Sequence, residues 1–145
     1  MKVFLLAVLI IMLFYSVKYT STSLSKKRYD SMMKANIEIL KKKKENMSED
    51  EWNIAKLTTI IMTLILYILF ALIYILVWVE LDNKYILVLS SLQLVTVLYH
   101  IKEFLCMKDV WSLNIEDYKF HRFWRLFNTI LDYIYYPTAI VMLLM

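Results

Sequence analysis

Residues 57–79 read LTTIIMTLILYILFALIYILVWV, twenty-three consecutive positions without a charge. At ~1.5 Å of rise per residue a helix of that length is ~34 Å long, enough to cross a ~30 Å hydrocarbon layer with some tilt. The few polar groups in the stretch are hydroxyls, two phenols and an indole, all tolerable in lipid when they find a partner. This stretch decides the fold, because a soluble domain has no place for so long an apolar rod.

Three further uncharged blocks flank it. Fifteen residues without a charge separate Lys2 from Lys18, seventeen run over residues 85–101, and twenty over residues 126–145 with one charge, Asp132. The shorter blocks fit a bilayer if their flanking lysines reach up to the headgroups and the layer thins around them. The expected architecture is therefore an all-α, polytopic membrane protein in one domain, residues 1–145. Its four transmembrane helices lie at about 3–17, 57–79, 85–105 and 123–145. Loops 18–56 and 106–122 are expected in the cytoplasm, the first carrying an amphipathic helix.

Composition agrees. Of 145 residues 61% are hydrophobic and 15% aromatic, with a single proline and no glycine. A soluble chain of this length holds about ten glycines at the usual ~7%. Their absence excludes phosphate-cradling loops, GxGxxG turns, potassium-filter segments and GxxxG helix seams.

Loop charge predicts orientation. Ten Lys or Arg lie between the first two blocks, five between the last two, one (Lys84) in the short connection, and one (Lys2) at the start. The split of fifteen against two places both long loops inside and both termini outside, with a bacterial plasma membrane as the expected location. Export of a loop carrying ten basic residues argues against a cleaved signal peptide, as does the bulky Val17-Lys18-Tyr19 where small residues would mark cleavage. The net charge of +4 belongs to this bias. Acidic residues are interleaved with the basic ones, so no nucleic-acid partner is expected. Anionic lipids are an expected contact for Lys41, Lys42, Lys43, Lys44, Arg122 and Arg125.

Helix starts are marked. Ser48 and Glu51 fit a capping box with Met47 and Trp52 at the staple positions, so the second long helix begins near Glu49. Asn114 and Asp117, with Leu113 and Tyr118, make a looser start that predicts the last helix from near Ile115. In the first loop Tyr29, Met32, Met33, Ile37 and Leu40 recur at helical spacing among charges. Their stripe has three destinations: the inner face of the bundle, the headgroup layer, or a partner. Without a Gly or Pro to stop it, the first span is also free to run straight on into this segment.

Polar residues inside the spans fall on single faces. The second span carries Thr59, Thr63, Tyr67, Ala71, Tyr74 and Trp78. The third carries Ser90, Gln93, Thr96, His100 and Glu103, and the fourth His121, Arg125, Asn128, Asp132 and Tyr136. Because an unpaired polar group in hydrocarbon is costly, these faces are expected to turn inward as one seam. Counting depth from the loop side puts Thr63, Thr96 and Asp132 in one layer, with Thr59, His100 and Asn128 in the next. Asp132 needs a partner on another helix or another copy, since Arg125 is two turns away. The first span, with nothing polar between Phe4 and Phe14, is expected on the lipid-facing side. Pro137 permits a bend just beyond the acid.

Chemistry is thin. His100 with Glu103, and Asp117 with His121, have conceivable metal-ligand spacings, yet neither sits in a recognised motif and no metal or cofactor is expected. Cys106 stands alone, so no intrachain disulfide forms. No nucleophile-base-orienter set or nucleotide loop is present, and an enzyme is not expected. Half the helices of an inverted-repeat transporter fit in this length, which disfavours that class. Two readings remain. One is an interaction or accessory protein that acts by helix association, as a homo-oligomer or as a subunit of a larger membrane complex. The other is a small homo-oligomeric channel with Asp132 on its polar seam.

Overall fold

The computed structural model describes residues 1–106 and 109–145, and every regular element among them is helical. Lys108, counted above among the basic residues of the loop, lies outside the described residues. The long helices are α1 (Lys2–Leu24), α2 (Lys26–Glu45), α3 (Glu49–Leu81), α4 (Lys84–Leu105) and α5 (Arg122–Leu144), with one 3-10 turn at Ile115–Asp117. Four of them, α1, α3, α4 and α5, are long and apolar enough to span a membrane. In the most apolar window of α3 only 11% of residues are buried inside the bundle, so its apolar surface faces outward and needs lipid to cover it.

Local chemistry sets the boundaries. At the start of α3 the Ser48 amide donates to Glu51 Oε2 at 2.8 Å and the Glu51 amide to Ser48 Oγ at 3.3 Å, a reciprocal capping box. Trp52 turns onto Trp111 in the far loop, ring centroids 4.8 Å apart. The α3 to α4 hairpin closes through Asp82 and Asn83. Asp82 takes a left-handed backbone (φ 41°), the conformation glycine usually supplies, and a short polar side chain tolerates it best in a chain without glycine. Asn83 Oδ1 then accepts the Tyr85 amide at 2.8 Å to start α4.

Two helix ends differ from the expected bounds. The first helix runs past residue 17 into the expected loop as far as Leu24, but stops short of the amphipathic segment: Ser25 is extended (φ −109°, ψ 112°), ends α1 and caps α2. The last helix does not begin near Ile115. Asn114 caps only a 3-10 turn, and α5 starts at Arg122, because Ser112 and Asp117 bond to each other and draw the segment back into a compact loop.

Helix α1 lies along α5, α5 beside α4, and α4 beside α3, while α3 and α1 touch only lightly. Helix α1, like α3, is mostly exposed, with 11% of its most apolar window buried against 28% for α4 and α5, as expected of a lipid-facing span; its inner edge nevertheless packs, with Leu5 and Leu9 wholly buried alongside Ala139 and Leu143 of α5. A helix that is apolar all round carries no stripe to announce its inner face, and shape alone selects it. The stripe of α2 packs against the loop at the end of the bundle: Tyr29 and Ile37 are buried, and the Tyr29 ring meets Phe120 at 5.3 Å. Both long loops therefore sit at one end, opposite the 82–83 connection.

Lys56 Nζ and Asp109 Oδ2, 2.7 Å apart, tie that loop to α3 beside the Trp52–Trp111 pair. Burial works against the Asp109 carboxylate, but hydrogen bonds from Lys56 and the Trp111 amide, with the charges of Lys56 and Lys44, hold its pKa below the usual value. A pKa lowered by folding means the tie is complete above the ordinary ~3.9 and is lost as pH falls through the lower folded value. Tryptophan fluorescence should stay constant from neutral pH to about pH 5 and change only below about pH 4. Asp109→Asn should remove the acid-side change and cost no more than ~1 kcal/mol, since the paired side chains are 25% and 40% exposed. A transition centred near neutrality would contradict this.

Candidate functional site: a one-ended cavity at Asp132

The inward faces of all four spans meet around Asp132 of α5. Gln93 Nε2 of α4 donates to Asp132 Oδ1 at 3.0 Å, and Ser16 Oγ of α1 donates to Oδ2 at 3.0 Å. Thr96 Oγ1 donates to the Gln93 carbonyl at 2.8 Å, and at 3.4 Å to the Gln93 side-chain oxygen, which fixes the amide. Three helices are thus joined through one carboxylate. The periodicity of the sequence explains the placement, because Ser90, Gln93 and Thr96 share a face of α4 and all three are buried.

One helical turn further from the loops, Tyr74 and Tyr136 share a hydrogen bond at 2.9 Å, and Ser90 Oγ donates to the Tyr135 hydroxyl at 3.3 Å. Tyr74 and Tyr135 pack edge to face at 5.2 Å. Beyond them Leu5, Leu9, Val77, Ile86, Ala139 and Leu143 form a dry plug. Among the described residues, no buried side-chain polar atom lacks a partner.

On the loop side of this plug the bundle is hollow. A cavity of about 710 Å³ is lined from all four spans, on the last of them from His121 just before α5 past Asp132 to Tyr136. Its floor holds Asp132, Gln93, Thr96 and Tyr136, its walls Tyr67, Phe70 and Asn128, and its mouth Lys119, His121, Arg125 and Glu103. At the mouth Glu103 faces two imidazoles: His121 Nε2 is 3.2 Å from Oε1 and His100 Nδ1 3.7 Å from Oε2, while the Tyr99 hydroxyl donates to Oε1 at 3.0 Å. The Tyr67 ring lies parallel to His100 at 6.5 Å.

Most members of the expected seam border the cavity: Tyr67, Gln93, Thr96, His100, Asn128, Asp132 and Tyr136. Thr59 and Thr63 do not. The Thr59 hydroxyl donates to its own helix at the Ala55 carbonyl, 2.9 Å away, and no hydrogen bond joins Thr63 to Asp132 or Thr96. The layer partners of Asp132 are Gln93 and Ser16 instead, since a longer amide side chain on α4 outreaches a threonine one turn away. Arg125 does not reach Asp132. Its guanidinium stacks 4.2 Å over Tyr29 and 5.3 Å from Phe120. Burial raises the Tyr29 phenol pKa, with the Arg125 charge opposing, so the ring stays neutral beneath its cation. Lys41, Lys42, Lys43, Lys44 and Arg122 are exposed around the loop end.

Asp117 bonds Ser112 and does not join His100, Glu103 and His121, so the four residues of the conceivable metal site do not assemble. Among the described residues no group of His, Cys, Asp or Glu has metal-holding geometry. Ser16 escaped sequence reasoning because a serine just before Lys18 reads as an interfacial residue. Tyr135 escaped because two consecutive tyrosines cannot both lie on one stripe. Compared with known proteins, the chain matches no family model, no curated protein and no solved structure.

Ser16→Ala removes one of the two donors to Asp132 and should cost ~0.6 kcal/mol in reversible unfolding from mixed micelles. Thr58→Ala removes an exposed hydroxyl bonded only to its own helix, at the Ile54 carbonyl, and should change stability undetectably. Equal effects of the two substitutions would contradict an interhelical role for Ser16.

Proposed function

We propose that this chain is a small integral membrane accessory protein, not an enzyme. It holds a ligand or a partner's group in its one-ended cavity and associates in the bilayer with itself or with a larger membrane complex. The supporting observation is the cavity itself: about 710 Å³ inside a single copy, ending at Asp132 and the Tyr74–Tyr136 pair. That volume falls within the ~300–1,000 Å³ of small-molecule sites, and mostly apolar walls with a few convergent polar groups are the usual form of such sites.

In this reading both long loops and the mouth face the cytoplasm and both termini lie outside, as the excess of basic loop residues favours. The exposed Lys41 to Lys44 run and Arg122 then lie near the inner headgroups, where anionic lipids attract them. The seam is consumed within one copy, so association with other subunits runs over the apolar outer faces and the loop layer.

The cavity also invites a channel reading, because titratable groups lead from the mouth to a membrane-buried acid. Against it stands the plug of Leu5, Leu9, Val77, Ile86, Ala139 and Leu143, which closes the other end without a polar path. Purified protein in liposomes should pass no ions at either polarity of the membrane potential. Steady flux that Asp132→Asn abolishes would overturn the accessory reading in favour of the pore.

A further inference from the structure

Asp132 is held by neutral donors only. Gln93 and Ser16 orient its two oxygens but cancel none of its charge. The ion pairs among the described residues join Lys56 to Asp109 and Glu103 to His100 and His121, and none involves Asp132. The basic residue on its own face, Arg125, is stacked over Tyr29 two turns away. A carboxylate at membrane depth with no basic partner holds either a proton or a cation from outside the chain.

Around it the cavity is aromatic. Tyr15 of α1, Tyr67, Phe70 and Tyr74 of α3, and Trp124 and Tyr136 of α5 all line it. Ring faces attract cations, by ~2 kcal/mol or more where water is excluded. An acid set among aromatic rings in an apolar enclosure therefore complements a positive charge carried on an apolar body.

Part of the cavity wall is itself exposed on the flank of the bundle, away from the mouth. Ile11 and Tyr15 of α1 and Leu66 of α3 line it, yet they are 59%, 60% and 48% exposed. They belong to α1 and α3, which touch only lightly, so the cavity wall is weakly closed on that flank. Neither edge carries a charge, since residues 3–17 and 57–79 have none. An uncharged, weakly closed flank favours entry of lipid-dissolved molecules over hydrated ions. At the loop end the charges oppose a cation: Lys119 and Arg125 line the mouth, and Glu103 is occupied by two histidines.

We propose that the cavity binds a lipophilic organic cation, drawn from the bilayer between α1 and α3, with Asp132 as its counter-ion and the aromatic residues as its walls. The basic mouth excludes small inorganic cations from the water side, and the apolar flank admits only those whose charge is delocalised or shielded by hydrocarbon. This rests on the cavity being a ligand site, as proposed above.

The test uses the purified full chain in detergent micelles and three probes of similar size: tetraphenylphosphonium, tetraphenylborate and neutral triphenylphosphine oxide. Equilibrium dialysis should find saturable binding of the phosphonium alone, at one per chain. Asp132→Asn should weaken it at least about tenfold. Because a change at the helix junction also bears on folding, Leu66→Trp provides an independent check: at an exposed position on the flank it should slow phosphonium association several-fold while the helical circular dichroism stays unchanged. Saturable binding of the borate or the neutral probe, or phosphonium binding indifferent to both substitutions, would overturn the cation assignment while leaving a ligand cavity in place. Saturable binding of none of the three would remove the ligand cavity and the cation with it.

Discussion

A carboxylate placed in hydrocarbon must find donors, and Asp132 finds them on two other helices. The bonds from Gln93 and Ser16 pin α4 and α1 onto α5, and much of what lies around them follows. With α1 fixed along α5, Leu5 and Leu9 drop into the apolar plug. With α4 fixed, Ser90 meets Tyr135, and the Tyr74–Tyr136 pair closes between α3 and α5. Each such contact contributes only ~0.6 kcal/mol in a membrane, because lipid offers helices no hydrophobic drive to associate and the separated helices find other partners. Their value lies in register: an acid, an amide and a hydroxyl fit in one arrangement, where leucines would fit in many.

The bundle divides into two parts along its axis. Away from the loops, small and branched apolar residues fill the interior, and the tyrosine hydroxyls are satisfied by one another (Tyr74 with Tyr136) or by Ser90 (Tyr135). Toward the loops the helices separate around the cavity, whose floor is lined by polar groups bonded to one another. Beyond the four long apolar helices, α2 and the 109–121 segment brace this wider end through Tyr29, Phe120, Arg125 and the paired tryptophans. A cavity at one end and a plug at the other is the geometry of a site that binds from one side or from the flank.

Much of this was legible in the residues. Charge-free blocks located the spans, steps of three and four placed Gln93, Thr96, His100 and Asp132 on inner faces, and Ser48 with Glu51 marked the start of α3. What escaped follows from physics that periodicity does not carry. Helix α1 has no polar stripe, so its inner face was decided by packing, and Ser16 was hidden among interfacial residues. Asn114 and Asp117 offered helix-start chemistry, but the bond between Ser112 and Asp117 kept that segment in a loop until Arg122. Thr63 shared the depth of Asp132 yet not its hydrogen bonds, because depth along a helix fixes height and not reach. Arg125 lay on the right face but stacked on Tyr29, a residue nearly a hundred positions earlier that no local pattern could join to it.

The inward, single-copy seam is tested most directly by a double-mutant cycle across Gln93 and Asp132, using Gln93→Leu, Asp132→Asn and the pair, in reversible micellar unfolding at several protein concentrations. A direct bond within one chain gives a coupling of ~0.6 kcal/mol that does not depend on concentration. A coupling of zero, or one that grows as the protein is concentrated, would mean that Asp132 finds its partner elsewhere and that the seam faces outward.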